Sequence, residues 1–558
     1  MQAIHPAEGS LPQGSPSPGS QPTAPSLCPS GSAPRRSANH LLELADRYRW
    51  WVFAAIALLY LAGFNGQWHV EPDSALYLTL ARNLATGQGY TYHGQIDHLA
   101  YPGWPGLVAV SFKIFGVGNL LPAHVLMLGL ALGVLGLTYR LFHLHADRPT
   151  AVMVTAMLAF NVCFYQYAYQ LRNDMPFLAG VMAFLVGYEG LIQHERRGRE
   201  ETTAGAEPTA RLSPRWLDWL AVLVGLAVAV VMRPTMIAFV GCIALAILYS
   251  IVTGRGHWRR LAVAALVLLA VAAFFSLDPR QRGDSASLGG YEEDMMGIFT
   301  HHDRLLATAA KAVHEYIPQL LRSTTAASFG HELGPGVNIL GTVVVLALGV
   351  GLFKRRPLWG LWVAATVAMM LLTIPRDRYF LAILPLLAFA WWQLIVWLNR
   401  RLPFNIGNLL FCLLLALWLG PNTVKSINAA IQQHRTPFLR HYKSGRLNHV
   451  AAFAHALPGA LPRDAIVLAP QRLGRILTYY SGLYVLDYWQ FPATFPTAPD
   501  VYCVFPTEAR EDKLDQWLAE RHARLSPPLL SVRRDDRAKP KLDPWTLHRI
   551  LPPATTSP

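Results

Sequence analysis

Glu71 and Asp73 stand two residues apart just beyond the first long apolar run, where carboxylates are costly unless solvated, paired or put to use. Arginines recur in the short polar turns on the same side: Arg172 beside Asp174, Arg233 before Pro234, and Arg376 and Arg378 in the run RDRY that ends at Tyr379. Outer turns are where membrane proteins shed basic residues. Arginines kept there point to an anion, and the planar guanidinium fork suits phosphate. His98 and Tyr101 follow Asp73 on that side. Taken singly, each has a plainer reading. Glu71 and Asp73 could cap the helix that follows. Arg172 with Asp174 could be an interfacial ion pair of small energetic weight, Arg233-Pro234 a simple turn, and Arg376 to Arg378 ordinary flanking charges.

The elements that position these groups are membrane spans. The chain has 558 residues, 53% hydrophobic and 15% charged, against about 25% charged in soluble domains. With a mean hydropathy of +0.27 it reads as a polytopic membrane protein. The net charge of +14 lies mostly in loops between apolar runs, as orientation signals do, and no nucleic-acid partner is expected. Cys28, Cys163, Cys242, Cys412 and Cys503 are scattered, and form neither a disulfide framework nor a CxxC zinc pattern.

Residues 1–38 are rich in Pro, Ser and Gly and read as a disordered cytoplasmic tail. Arg35, Arg36, Arg47 and Arg49 flank the first span, at 50–66, and place the N-terminus inside. Alternation of basic loops then predicts spans at 120–142, 150–169, 177–192, 216–232, 235–252, 261–277, 337–353, 358–374, 380–398 and 404–419. That is about eleven helices of spanning length, with 106–115 too short to cross. A long outer loop after residue 277 holds Glu292, Glu293, Asp294, His301, His302, Asp303, His331 and Glu332.

From residue 421 the apolar runs stop. Helical patterns at 439–457, 472–480 and 508–524 alternate with short β-rich runs at 465–469, 484–489, 501–505 and 546–550. Residues 421–558 therefore read as a small soluble α/β domain, placed outside by the span count, after a membrane domain at 39–420.

Three stretches together resemble a known family. EPDSALYLTLARNLATG followed by YHGQIDHLAYPGWPGL, LRNDMPF at 171–177, and RDRYFLAILPLL at 376–387 resemble motifs of the C-type (GT-C) integral membrane glycosyltransferases that use polyprenyl phosphates. The nearest likeness is to the group of protein O-mannosyltransferases and aminoarabinose transferases, glycosyltransferase family 39-like. Their order and sidedness, more than any one motif, carry the resemblance. It implies an all-α membrane domain with juxtamembrane helices in the first outer loop, in an inner (plasma) membrane. It implies an inverting transfer of a sugar from a polyprenyl-phosphate donor to a cell-envelope glycan, lipid or protein acceptor.

Residue by residue, the resemblance makes Asp73 the essential carboxylate and Asp174 a second acidic group at the same cavity. It makes Arg378, with Arg376, Arg233 or Arg172, the holder of the phosphate, and gives His98, Tyr101, Tyr379 and Glu71 places around the substrate. Such a transfer needs a base near the acceptor hydroxyl and positive charge on the departing phosphate. Asp73-Ser74 stands where the mannosyltransferases have Asp-Glu, and Tyr-Pro-Gly where the aminoarabinose enzymes have Lys-Pro-Pro, so neither relative's acceptor carries over. Some relatives use a divalent metal; Asp73, Asp174, His301, His302, His331 and Glu332 are the available ligands, without diagnostic spacing. A polyprenyl-linked glycan ligase or polymerase is the near alternative. A flippase or transporter is the distant one, and it would need ionisable residues at mid-span, whereas LAVLVGLAVAVV and VVVLALGVGLF carry none.

Overall fold

In a computed structural model of the chain, the described residues are 37–97, 100–204, 215–253, 258–277, 310, 312–330, 334–372, 376–435, 447–470, 473–487, 501–506, 512–520, 523–532 and 545–551. The first outer loop and its flanks form α1 (Ser37–Arg47), α2 (Arg49–Ala62), α3 (Pro72–Ala85), a two-stranded ribbon of β1 (Thr91–Tyr92) and β2 (Gln95–Ile96), and α4 (Gly103–Phe115). Then come α5 (Leu121–His143), α6 (Arg148–Ala159), α7 (Val162–Tyr167), α8 (Asp174–Ala204), α9 (Arg215–Met232), α10 (Met236–Val252) and α11 (Trp258–Leu277). Later helices run over Ile317–Phe329, Pro335–Arg355, Pro357–Leu372, Asp377–Phe380, Leu384–Arg401 and Phe404–Arg435.

Among the described residues, four helices are long and apolar enough to cross a membrane: Leu121–His143, Asp174–Glu195, Arg215–Met232 and Phe404–His434. Large apolar side chains face outward along them, Val125, Leu220 and Leu409 among them, as lipid contact requires. This is a membrane protein. Its apolar helices are held together by close backbone approach where small residues meet. A Cβ on Gly180 of α8 would lie 2.8 Å from the Gly225 carbonyl oxygen and the Ala229 nitrogen of α9, so only glycine lets the two helices touch there.

Three expectations are corrected. The stretch 150–169 is not one span but α6 and α7, broken at Asn161, whose side chain accepts from Phe164 N and donates to Ala327 O at 2.8 Å. Asn422 completes this buried polar knot by accepting from Val162 N at 3.1 Å and donating to Ser328 O at 2.9 Å. Secondly, part of the supposed outer loop after 277 is the Ile317–Phe329 helix, packed against that knot, while residues 278–309 lie outside the described residues. Lastly, the last apolar helix does not stop near 419 but continues through Pro421 to Arg435.

Beyond it lies a mixed sheet. Its strands β3 (Ile466–Ala469), β4 (Tyr484–Asp487) and β5 (Val501–Pro506) run parallel, and β8 (Trp545–Leu551) lies antiparallel beside β5. The strands β6 (Arg524–Leu525) and β7 (Leu530–Val532) both pair with β8. Helix Gly474–Ser481, between β3 and β4, packs against α3. Trp68 stands edge-on to Tyr479, with ring centroids 4.9 Å apart, and also meets Tyr480, so a single apolar core runs from the membrane helices into the sheet region.

Candidate active site

Each charged group of the site is delivered by the end of an element. Pro72 fixes the first turn of α3, where its missing N–H costs nothing, and sets Glu71 at the N-cap and Asp73 in the first turn. Arg172 sits between α7 and α8, and Asp174 opens α8. Arg233 follows the last residue of α9, and Arg378 and Tyr379 lie in the short helix Asp377–Phe380.

These residues meet in one cluster. Asp73 Oδ2 accepts from Arg378 Nη1 at 2.7 Å and from Arg172 Nη2 at 3.1 Å. Arg172 also donates to Glu71 Oε2 at 2.5 Å, and its Nε lies 3.1 Å from Asp174 Oδ2. Asp174 Oδ1 accepts from Arg233. The Tyr379 ring centroid lies 4.9 Å from the guanidinium carbon of Arg378 and 5.3 Å from that of Arg233, and its hydroxyl accepts from Arg378 Nη2 at 3.1 Å. The helix-capping reading of Glu71 fails, because its side chain makes no cap bond and is turned to Arg172 instead.

Accessibility separates the three acids. The Asp73 side chain is 32% exposed, Glu71 9% and Asp174 1%. Asp73 is thus the carboxylate a substrate can reach. Asp174, expected at the same cavity, is buried behind Arg172 and Arg233 and bonded to both.

Burial dominates the electrostatics. Glu71 is pushed up to about 7, mainly by burial, with Asp73 and Asp174 adding to the rise and Arg172 opposing it. The short Arg172 contact does not offset burial, because that one cation is shared among three carboxylates. Burial alone would lower Arg172, but Glu71, Asp174 and Asp73 hold it well above its ordinary value. Arg233 is likewise raised by Asp174 against its own burial.

Of the remaining expected residues, Arg376 takes the N-cap position of the Asp377–Phe380 helix and makes none of the cluster's ion pairs. Tyr101 is buried in the hydrophobic core, 2% exposed. His98 lies outside the described residues, as do His301, His302, His331 and Glu332. Among the described residues no group of three His, Cys, Asp or Glu side chains is arranged to hold a metal ion, and the acids of this cluster are bonded to guanidiniums.

One member escaped the sequence. Arg475 Nη1, from the first turn of the Gly474–Ser481 helix, donates to Asp73 Oδ1 at 3.2 Å. Attention to turns between apolar runs passes over it. The signal that could have found it is its place just after a parallel strand, β3, at the strand-to-helix turn where α/β sheets position ligand-binding residues.

No protein-family model matches the chain, and no curated protein matches it. Solved structures do. ArnT from Cupriavidus metallidurans superposes with a TM-score of 0.53 in its form bound to undecaprenyl phosphate, at 14% identity, over 90% of this chain and 98% of that one. Its apo form gives 0.51, over 91% and 98%. The apo Archaeoglobus fulgidus oligosaccharyltransferase gives 0.52 at 12% identity, over 83% of this chain and 70% of that one. The chain has the GT-C fold. At such low identity the likeness speaks for architecture alone. The GT-C fold thus frames the charged cluster, while the chemistry of the cluster has to be read from its own atoms.

Proposed function

We propose that the chain is an integral membrane glycosyltransferase that moves a sugar from a polyprenyl-phosphate donor to an acceptor hydroxyl, with inversion at the anomeric carbon. The observation that carries this is the meeting on Asp73, the accessible carboxylate, of guanidiniums from Arg172 and Arg378. Asp73 takes the proton of the acceptor hydroxyl as its oxygen attacks the anomeric carbon from the face opposite the phosphate. The bond from that carbon to the phosphate oxygen breaks, and the polyprenyl phosphate leaves with the bonding electrons. Arg378 is placed to hold the charge that develops there. Its Nε is buried and has no hydrogen-bond partner among the described residues, a donor free for a phosphate oxygen.

Several features support the donor class. The fold is shared with a protein whose structure holds undecaprenyl phosphate, and the cluster lies where α3 and α8 begin, beside apolar helices. In this reading the protein sits in an inner (plasma) membrane with about eleven spans, the N-terminus cytoplasmic, and residues 421–558 form an extracytoplasmic domain. The acceptor is a cell-envelope glycan, a lipid or a protein. Asp174 and Glu71 act through Arg172 and Arg233 rather than on substrate, and no step passes through a metal.

The test is transfer from a panel of undecaprenyl-phosphate sugars by the purified protein and by Asp73→Asn. The variant is expected to insert and express normally and to transfer nothing. Retained transfer would remove Asp73 from its role, and the reading with it.

A further inference from the structure

We propose that Arg475, delivered from the C-terminal sheet region, is a donor-binding residue that alternates between two anions. In the arrangement described above it holds Asp73 Oδ1; when the donor enters, it turns to the lipid-linked phosphate and leaves Oδ1 free for the acceptor hydroxyl. The inference rests on Asp73 being the base of the transfer.

The two oxygens of Asp73 are not equivalent. Oδ2 is taken by Arg378 and Arg172, at 2.7 and 3.1 Å. Oδ1 takes Arg475 at 3.2 Å, the longest of the three contacts. An oxygen that already accepts from a guanidinium is a poorer proton acceptor, so Oδ1 is the one to be released. Arg475 is also the looser cation: its side chain is 26% exposed, against 6% for Arg172, 11% for Arg233 and 14% for Arg378.

Charge balance points the same way. Arg172, Arg233 and Arg378 already attend Asp73 and Asp174, while Glu71, raised by burial to about 7, is only partly ionised near neutral pH. Arg475 adds one more positive charge to that set, and a sugar joined to a lipid through a phosphodiester carries one negative charge.

The backbone beneath Arg475 is fixed, so the side chain can swing without the helix moving. Arg82 Nη1 of α3 donates to Tyr479 O at 3.0 Å, and Tyr92 Oη approaches Thr478 Oγ1 at 3.4 Å. His93, at the tip of the β1–β2 ribbon, places Nε2 3.1 Å from Val485 O of β4. Trp68 packs on Tyr479 and Tyr480.

The experiment measures binding of undecaprenyl phosphate to the purified full-length protein in detergent, for wild type, Arg475→Ala, Arg475→Lys, Arg82→Ala, Asp73→Asn and the Asp73→Asn, Arg475→Ala double variant. Arg475→Ala is expected to weaken binding about tenfold, with Lys restoring part of the loss by keeping the charge. Arg82→Ala loosens the same interface without touching Asp73 and is expected to bind within about twofold of wild type, as a remote polar contact should. Asp73→Asn releases Arg475 and is expected to bind more tightly than wild type, a gain that the double variant loses. Wild-type affinity in Arg475→Ala, an equal loss in Arg82→Ala, or no gain in Asp73→Asn overturns the proposal. Inorganic phosphate binding as tightly as the lipid would reassign the site to free phosphate and overturn it as well. If Asp73→Asn abolishes transfer while Arg475→Ala binds as wild type does, only the role of Arg475 falls. If wild type does not bind undecaprenyl phosphate, the glycosyltransferase reading falls too.

Discussion

Arg378 Nη1 donates to Asp73 Oδ2 at 2.7 Å although the two residues are 305 positions apart in the chain. That pair joins the first outer helix to a turn far along the bundle, and it sets the acid beside the cation expected to hold the phosphate. Replacing Arg378 with Ala should weaken undecaprenyl phosphate binding by about 1.5 to 3 kcal/mol, the range for a charge-assisted hydrogen bond. Lys should recover little of it, because one ammonium cannot bond Asp73, Tyr379 and a phosphate with fixed fork geometry. Full recovery by Lys, read by titration of the lipid, would show that only net charge matters there.

Asp174 should behave as a structural acid and Asp73 as a chemical one. Asp174→Asn leaves Arg172 and Arg233 buried with their shared partner gone, at a cost of about 3 to 5 kcal/mol. Its Tm in detergent should fall by many degrees, while that of Asp73→Asn, a third exposed, should stay close to wild type. Comparable Tm losses in the two variants would contradict this division.

Glu71 gives a pH signature. Its folded value of about 7 lies above the ordinary 4.5, so its protonated form is favoured by folding. The stability it contributes is therefore full below about pH 4.5 and lost as pH rises through 7, a change on the order of 3 kcal/mol. Glu71→Gln cannot titrate. The Tm of Glu71→Gln relative to wild type should climb between pH 5 and about pH 8; a flat difference would mean that Glu71 is ionised throughout.

The Gly180 contact should control the site from a distance. Leu at position 180 must push α9 away, because the atoms it meets at 2.8 Å are backbone and cannot swing aside. Asp174 opens α8 and Arg233 follows α9, so the displacement should part that pair. Gly180→Leu is expected to lose both stability and transfer, whereas Gly133→Leu, where a Cβ meets nothing within 4 Å, should keep both. Transfer at the wild-type level in Gly180→Leu would show that the Asp174–Arg233 pair is dispensable.

What the sequence disclosed follows from where the physical signal is local. Apolar length predicts α5, α9 and α10 nearly to the residue, and β-rich runs place β3, β4, β5 and β8. Charge against membrane bias singles out Asp73, Arg172, Asp174, Arg233 and Arg378. The break at Asn161 escaped because it depends on carbonyls of the Ile317–Phe329 helix, more than 150 residues away by the 166-position span of that bond. Arg475 escaped for the same reason: nothing in its neighbourhood says that the helix carrying it rests on α3. The contrast between Asp73 and Asp174 is also tertiary, since only packing decides which acid is covered.

The seat of Arg475 has a bearing on how the protein is made. A ribosome reaches that codon after the apolar helices up to Phe404–Arg435 have been synthesised. A nascent chain at that stage already carries Asp73, Arg172, Arg233 and Arg378, but not the residue that would loosen its grip on the acid in favour of a lipid-linked phosphate. Copies halted before residue 474 would carry the other three arginines without the cation that contacts Asp73 Oδ1.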